Sequence, residues 1–268
     1  MTRVALFAAG LAGAFLAALA VGQRIDVGAR TVAAAHEEGT MTTTSGAGHG
    51  AGHEPAEPAG LAVEPDGYRL VQERDSFPSG SAEPYVFRIV GKDGKTVRDF
   101  ELEHERRLHL IVAGRSPSKA FLHLHPEQRD DGSWETALSL PARGSYRVFA
   151  DFTRGGERRT LGVDVVGTGG PDTAEESLTT YDVALDRDGG SLTFSVTEGG
   201  RAVALQPYLG ARGHLVVLRE GDLAYVHAHA DEDELSFEVP FPGEGLYRLY
   251  LQFRVGGRVE TARFEVES

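Results

Sequence analysis

The sequence predicts an all-β protein in which two tandem sandwiches follow an apolar N-terminal segment and a linker. Three observations predict it. From Leu61 onward, short runs of alternating apolar and polar residues recur between Gly and Pro turn signals, with little helical periodicity. The chain also matches itself at an offset of about 100 residues. Finally, each copy holds about seven such runs in about 100 residues, the size of an immunoglobulin-like sandwich.

The first element is residues 1–24. After Met1-Thr2-Arg3, residues 4–22 carry no charge and consist of Ala, Leu, Phe, Val, Gly. Nineteen residues as a helix approach the thickness of bilayer hydrocarbon. The segment reads equally as a signal peptide, with Arg3 as its basic start and Ala18-Leu19-Ala20 as a small-x-small cleavage site. Whether cleaved or kept as a transmembrane anchor, it exports the rest of the chain. Residues 25–60 form a flexible linker of Gly, Ala, Thr and Pro. It carries His36, His49 and His53, which either collect divalent metal weakly or are incidental to a solvated tether.

Repeat 1 spans 61–168 and repeat 2 spans 169–268, with the Pro/Thr/Gly stretch 167–174 as the seam. His109-Leu110-Ile111-Val112 aligns with His214-Leu215-Val216-Val217, and Phe121-Leu122-His123-Leu124-His125 with Tyr225-Val226-His227-Ala228-His229. Gly144-Ser145-Tyr146-Arg147-Val148 aligns with Gly245-Leu246-Tyr247-Arg248-Leu249, and Gly155-Gly156 with Gly256-Gly257. The Gly-x-Tyr motif predicts a tyrosine corner in each copy. The paired glycines predict a closing hairpin.

Composition narrows the chemistry. Among 268 residues there is no cysteine, which excludes disulfides, thiolate metal sites and cysteine nucleophiles. Only Met1 and Met41 are methionine, which excludes a thioether site for cuprous copper. The net charge of −13 argues against nucleic acid as a partner. Most of that charge lies in repeat 2, which has eighteen acidic residues against eight arginines. Metal chemistry therefore falls to carboxylate and histidine, and there are ten histidines.

Six of them form two matching trios: His109, His123, His125 and His214, His227, His229. Residues i and i+2 of a strand share a face, so each His-x-His places two rings side by side. A two-residue turn at Gly221-Asp222 sets His214 opposite His229. A three-residue loop, Ser116-Pro117-Ser118, sets His109 opposite His125. Cross-strand partners have Cβ atoms about 4.5–5.5 Å apart, and the diagonal His123 or His227 lies about 7–8 Å away. Three such imidazoles suit one metal ion per repeat, Cu(II) or Zn(II) rather than Ca or Mg. The opposite strand face (Leu108, Leu110 and Val112 with Leu122 and Leu124) reads as core. The histidine face also bears Ile111, Ala113 and Phe121, so its histidines are alternatively packing residues on a face covered by the other copy. His104 aligns with Leu209 and stands outside the matched trios.

Glu103-His104-Glu105-Arg106-Arg107-Leu108-His109-Leu110-Ile111-Val112 with Phe121-Leu122-His123-Leu124-His125-Pro126, and their repeat 2 counterparts, resemble exported, membrane-anchored tandem β-sandwich proteins of high-GC Gram-positive bacteria. That group is of heavy-metal-binding-domain type. The chain is similar, more loosely, to YtkA-like and CopC-like domains, which implies copper handling outside the cytoplasm. Repeat 2 has Ala230 where repeat 1 has Pro126.

Three functions follow as expectations. The first is a non-catalytic, exported metal-binding protein, held in the membrane through residues 4–22 if they are uncleaved, with an envelope or metal-handling protein as its partner. The second is an extracellular structural or interaction module with packing histidines and no metal. The third is a cupin-like metalloenzyme, because Gly221-x5-His227-x-His229-x4-Glu234 fits the first cupin signature. No nucleophile–base pair, phosphate-cradling loop or paired carboxylates can be placed, so no catalytic activity is expected.

Overall fold

Alternating side chains and Gly-rich turns produce strands almost throughout. A computed structural model describes residues 59–61, 65–115, 119–174, 177–230 and 234–268. The apolar segment 1–24, most of the linker and the loop 116–118 lie outside the described residues. Among the described residues no helix is long and apolar enough to cross a membrane.

Repeat 1 contains β1 (Arg69–Gln72), β2 (Ser76–Pro78), β3 (Ala82–Val90), β4 (His109–Gly114), β5 (Phe121–Leu124), β6 (Glu127–Gln128), β7 (Trp134–Ser139), β8 (Gly144–Arg154) and β9 (Glu157–Thr168). Repeat 2 contains β10 (Asp182–Asp188), β11 (Ser191–Glu198), β12 (Arg201–Ala202), β13 (Gly213–Arg219), β14 (Tyr225–His229), β15 (Ser236–Glu238), β16 (Leu246–Val255) and β17 (Arg258–Glu267). The strands outnumber the seven expected per copy because β2, β6, β12 and β15 are fragments of two or three residues.

In repeat 1 a sheet ordered β1-β3-β7-β6 packs against one ordered β2-β9-β8-β4-β5. In repeat 2 the sheet β10-β11-β12, with β15 also paired to β11, packs against β14-β13-β16-β17. Each sandwich closes over its own core. Phe87, Leu110, Val112 and Val148 belong to the first, and Leu192, Phe237, Leu215 and Leu249 to the second. Both sandwiches lie within one compact unit, residues 53–268.

The closing hairpins form as expected. Gly155 and Gly156 take φ of 64° and 74°, and Gly256 and Gly257 take 57° and 82°. Such a turn matches strand twist and favours glycine at both positions. Both tyrosine corners form as well. Tyr146 Oη donates to the Ala142 carbonyl at 2.7 Å and accepts from the Ala142 N–H at 3.1 Å. Tyr247 Oη donates to the Gly243 carbonyl at 2.6 Å. Tyr146 is fully buried, so Tyr146→Phe leaves the Ala142 amide without its partner. We expect a loss of about 1–3 kcal/mol in urea unfolding. An unchanged midpoint would show that the corner is dispensable.

Candidate metal centre

Strands β4 and β13 are buried on both sides, and the pleat decides what each side meets. Leu110 and Val112 enter the first sandwich core, whereas Ile111 and Ala113 face outward from it. Leu215 and Val217 enter the second, whereas Val216 and Leu218 face outward. The outward faces are covered by each other. Ile111, Ala113 and Phe149 cluster with Val216, Leu218, Leu223, Tyr225 and Tyr250 in a third apolar cluster between the repeats.

The contacts across this interface exchange equivalent positions. Phe121 of repeat 1 stacks on Tyr250 of repeat 2 at 4.2 Å between centroids. Tyr225, the counterpart of Phe121, stacks on Phe149, the counterpart of Tyr250, at 4.7 Å. Reciprocal contacts of this kind mark a two-fold, self-complementary packing of the two copies. The end of the linker also enters the interface: the Tyr225 N–H donates to the Ala59 carbonyl, and Arg147 donates to the Gly60 carbonyl at 2.8 Å.

The histidine hairpins have the expected registers. His214 pairs with His229 and Val216 with His227. Leu110 pairs with Leu124 and Ile111 with His123, which brings His125 opposite His109 just beyond the strand end. Within each trio the ligating atoms lie within 4.8 Å of one another. The trios also meet each other. His109 lies 5.2 Å from His227, and His123 lies 5.4 Å from His227 and 5.9 Å from His214, centroid to centroid. Within a trio the separations are similar, such as 4.7 Å for His123–His125 and 4.5 Å for His227–His229.

A model of the domain of unknown function DUF8832 matches residues 62–168 and again 175–268. The chain belongs to this family. Its two DUF8832 copies carry one trio each. No curated protein matches the sequence. Among solved structures it is similar to a two-domain fibronectin type III segment of chicken tenascin, at 13% identity, covering 74% of this chain and 97% of that one, with a TM-score of 0.23. It is also similar to a tetra-tandem repeat from the extending region of a large adhesion protein, at 11% identity, 75% and 48% coverage and a TM-score of 0.28. An Escherichia coli adhesin matches at 15% identity, 75% and 64% coverage and a TM-score of 0.24.

In both DUF8832 copies the hydrogen bonds orient the rings from behind. His227 Nδ1 faces Asp151 Oδ2 at 3.0 Å and Arg158 Nη2 at 3.2 Å; with its proton on Nδ1 the ring donates to the carboxylate and Nε2 keeps the lone pair. Asp151 is itself held by Arg158 at 2.6 Å and by Thr160 Oγ1 at 3.2 Å. At the matching place, His123 Nδ1–H donates to Gln252 Oε1 at 2.7 Å, and Gln252 Nε2 donates to Thr261 Oγ1 at 3.2 Å. Each central histidine is thus oriented by the other copy. His214 Nε2–H donates to the Tyr208 carbonyl at 2.9 Å, which turns Nδ1 inward.

Five ring nitrogens remain buried with no hydrogen bond to protein: Nε2 of His109, His125, His227 and His229, and Nδ1 of His214. Buried polar atoms left this way are costly unless something else satisfies them. His109 Nδ1 and His123 Nε2 stand 3.0 Å apart. Two nitrogens bound to one tetrahedral Zn(II) at about 2.0–2.1 Å stand about 3.3–3.4 Å apart, so a small opening of this pair would admit the ion. The donor set, the oriented rings and the orphaned nitrogens all fit a metal ion.

Burial is the chief force on the protonation of these rings. It pushes His109, His123, His125 and His214 down to about 3, with neighbouring imidazoles adding to the fall. Burial also holds His227 and His229 far below the usual histidine range, again reinforced by nearby histidines. The rings are therefore neutral near pH 7, the state that ligation requires.

His104 joins this cluster, although the repeat alignment set it apart. It sits at a positive φ of 47° between Glu103 and Arg106, which bridge to one another. Its ring stacks on His229 at 3.6 Å and meets His214 edge-on at 6.0 Å. Asp151, Gln252 and Arg158 were not singled out from the sequence. The signal available was positional: Asp151 and Gln252 occupy matched sites, each one residue before the aligned Phe152 and Phe253. Glu234 of the cupin-like pattern is exposed and outside both trios. A groove lined by Ala82, Pro84, His125, Gln128, Arg129 and Glu135 gives a solvent approach to His125.

Proposed function

We propose that this chain is an exported metal-binding protein that holds Cu(II) or Zn(II) through its histidine trios without catalysis. In this reading it stays at the extracytoplasmic face of the membrane through residues 4–22, or is released once they are cleaved. An envelope or metal-handling protein exchanges the ion with it. The observation that carries this reading is five buried, unpartnered ring nitrogens in two trios, each with its ligand atoms within 4.8 Å of one another. Among these rings His227 is turned by its bond to Asp151 and His214 by its bond to Tyr208, and the neighbouring His123 is turned by Gln252. Outer partners of this kind orient metal-ligating histidines in general.

A second reading has its own support. The stacked His104–His229 pair and the His109–His123 hydrogen bond suit an extracellular interaction module whose histidines only pack. Metal content separates the two. The purified full-length chain should carry copper or zinc, and His123→Ala/His125→Ala and His227→Ala/His229→Ala should each lower the affinity of the trio it interrupts at least about ten-fold. Equally negligible binding by all three proteins would rule out the metal reading and leave the packing one.

A further inference from the structure

We infer that the two trios form one coupled centre between the repeats, in which binding of a first divalent cation strongly weakens binding of a second. The inference rests on the metal-binding reading and goes beyond it, because two trios on separate domains would fill independently. They are not separate. Rings of opposite trios approach to 5.2–6.1 Å, against 4.5–5.7 Å within one trio. His109 alone meets His214, His227 and His229.

Charge then decides the outcome. The ligands are neutral imidazoles that bring no negative charge to offset two dications. Among the described residues, Asp151 is the carboxylate bonded to one of these rings, and Arg158 neutralises it through two nitrogens at 3.1 and 2.6 Å. Two dications about 6 Å apart repel enough to weaken the second binding about a hundred-fold even at the dielectric of water. The drier interface between the repeats makes the penalty larger. Scaling with the product of the charges predicts a quarter of that energy for two monovalent ions. Their penalty is then the fourth root of the dication's, about three-fold where the dication's is a hundred-fold.

The test is calorimetric titration of the full chain with Zn(II) and, separately, with Ag(I). His36, His49 and His53 are replaced by Ala so that the linker does not contribute ions. The expected result is one tightly bound Zn(II) per chain with a second at least about a hundred-fold weaker, but two Ag(I) of comparable affinity. His125→Ala and His229→Ala, at the half-exposed edge of the cluster, should each still bind one Zn(II). Two Zn(II) of equal affinity, with each variant losing one of them, would overturn the coupling and leave the metal reading intact. A single ion of either charge would also overturn it, by showing one shared site. No binding of either ion would overturn the metal reading itself.

Discussion

Acidifying the metal-free protein from about pH 7 to about pH 4 is expected to unfold it, with a midpoint near about pH 5. The cause is the seam of histidines between the repeats. In the unfolded chain an imidazole takes up its proton near 6.5, whereas in the fold His109, His123, His125 and His214 hold out to about 3. His227 and His229 resist further, for the same reason, burial. Each folded pKa lies below its unfolded value, so between about pH 3 and 6.5 the unfolded state binds more protons. Stability is therefore full above about 6.5 and is lost as pH falls through that window. Each ring contributes about 1.4 kcal/mol per pH unit at most, and six together about 8. Half of that, allowing for the partly exposed His125 and His229, still consumes a usual stability of about 5–15 kcal/mol within two or three units. Fluorescence of Trp134, the single tryptophan, follows the unfolding, because the residue is buried in the first core. Bound Zn(II) should move the midpoint lower, since protons and metal compete for the same nitrogens. A flat stability from pH 7 to 4 would refute this account of the seam.

Asp151→Ala is expected to destabilise the protein by about 2–4 kcal/mol, well beyond Gln252→Ala at about 1 kcal/mol. The two positions are equivalent in the repeats but not in charge. Asp151 is buried and accepts from His227, Arg158 and Thr160, so its removal strands several donors at once. Arg158 keeps 37% of its side chain exposed, so water recovers part of its lost partner and the cost stays below that of a fully buried pair. Gln252 is a neutral relay between His123 and Thr261. Adding Arg158→Met to Asp151→Ala should restore part of the stability by removing the uncompensated charge. Urea unfolding of the four proteins checks the order. Equal effects at positions 151 and 252 would show that the charge at 151 is immaterial. Metal affinity should also fall about 10–100-fold in Asp151→Ala, because the Nδ1 partner of His227 is gone.

Much of each repeat was legible because strands write their geometry into short stretches of sequence. The pairing of His214 with His229 follows from loop length and a period of two, and the same reasoning puts His109 opposite His125. The tyrosine corners and the Gly-Gly hairpins are equally local, each settled by residues a few positions apart. His104 was set aside because its aligned partner is Leu209. Its place in the cluster comes from a left-handed turn and a stack on the other repeat, which alignment of the copies does not register.

By itself, then, the sequence determined an all-β chain in two copies, with three imidazoles on one face of each and no thiolate to compete with them. Only the tertiary structure decided that the two histidine faces meet. It also decided that His123 is oriented by Gln252 and His227 by Asp151, each from the opposite copy. The pleat tells which face a side chain takes, but not what covers that face. What covers it is set by the docking of two preformed sheets, where Phe121 finds Tyr250 and Tyr225 finds Phe149 across long stretches of intervening chain.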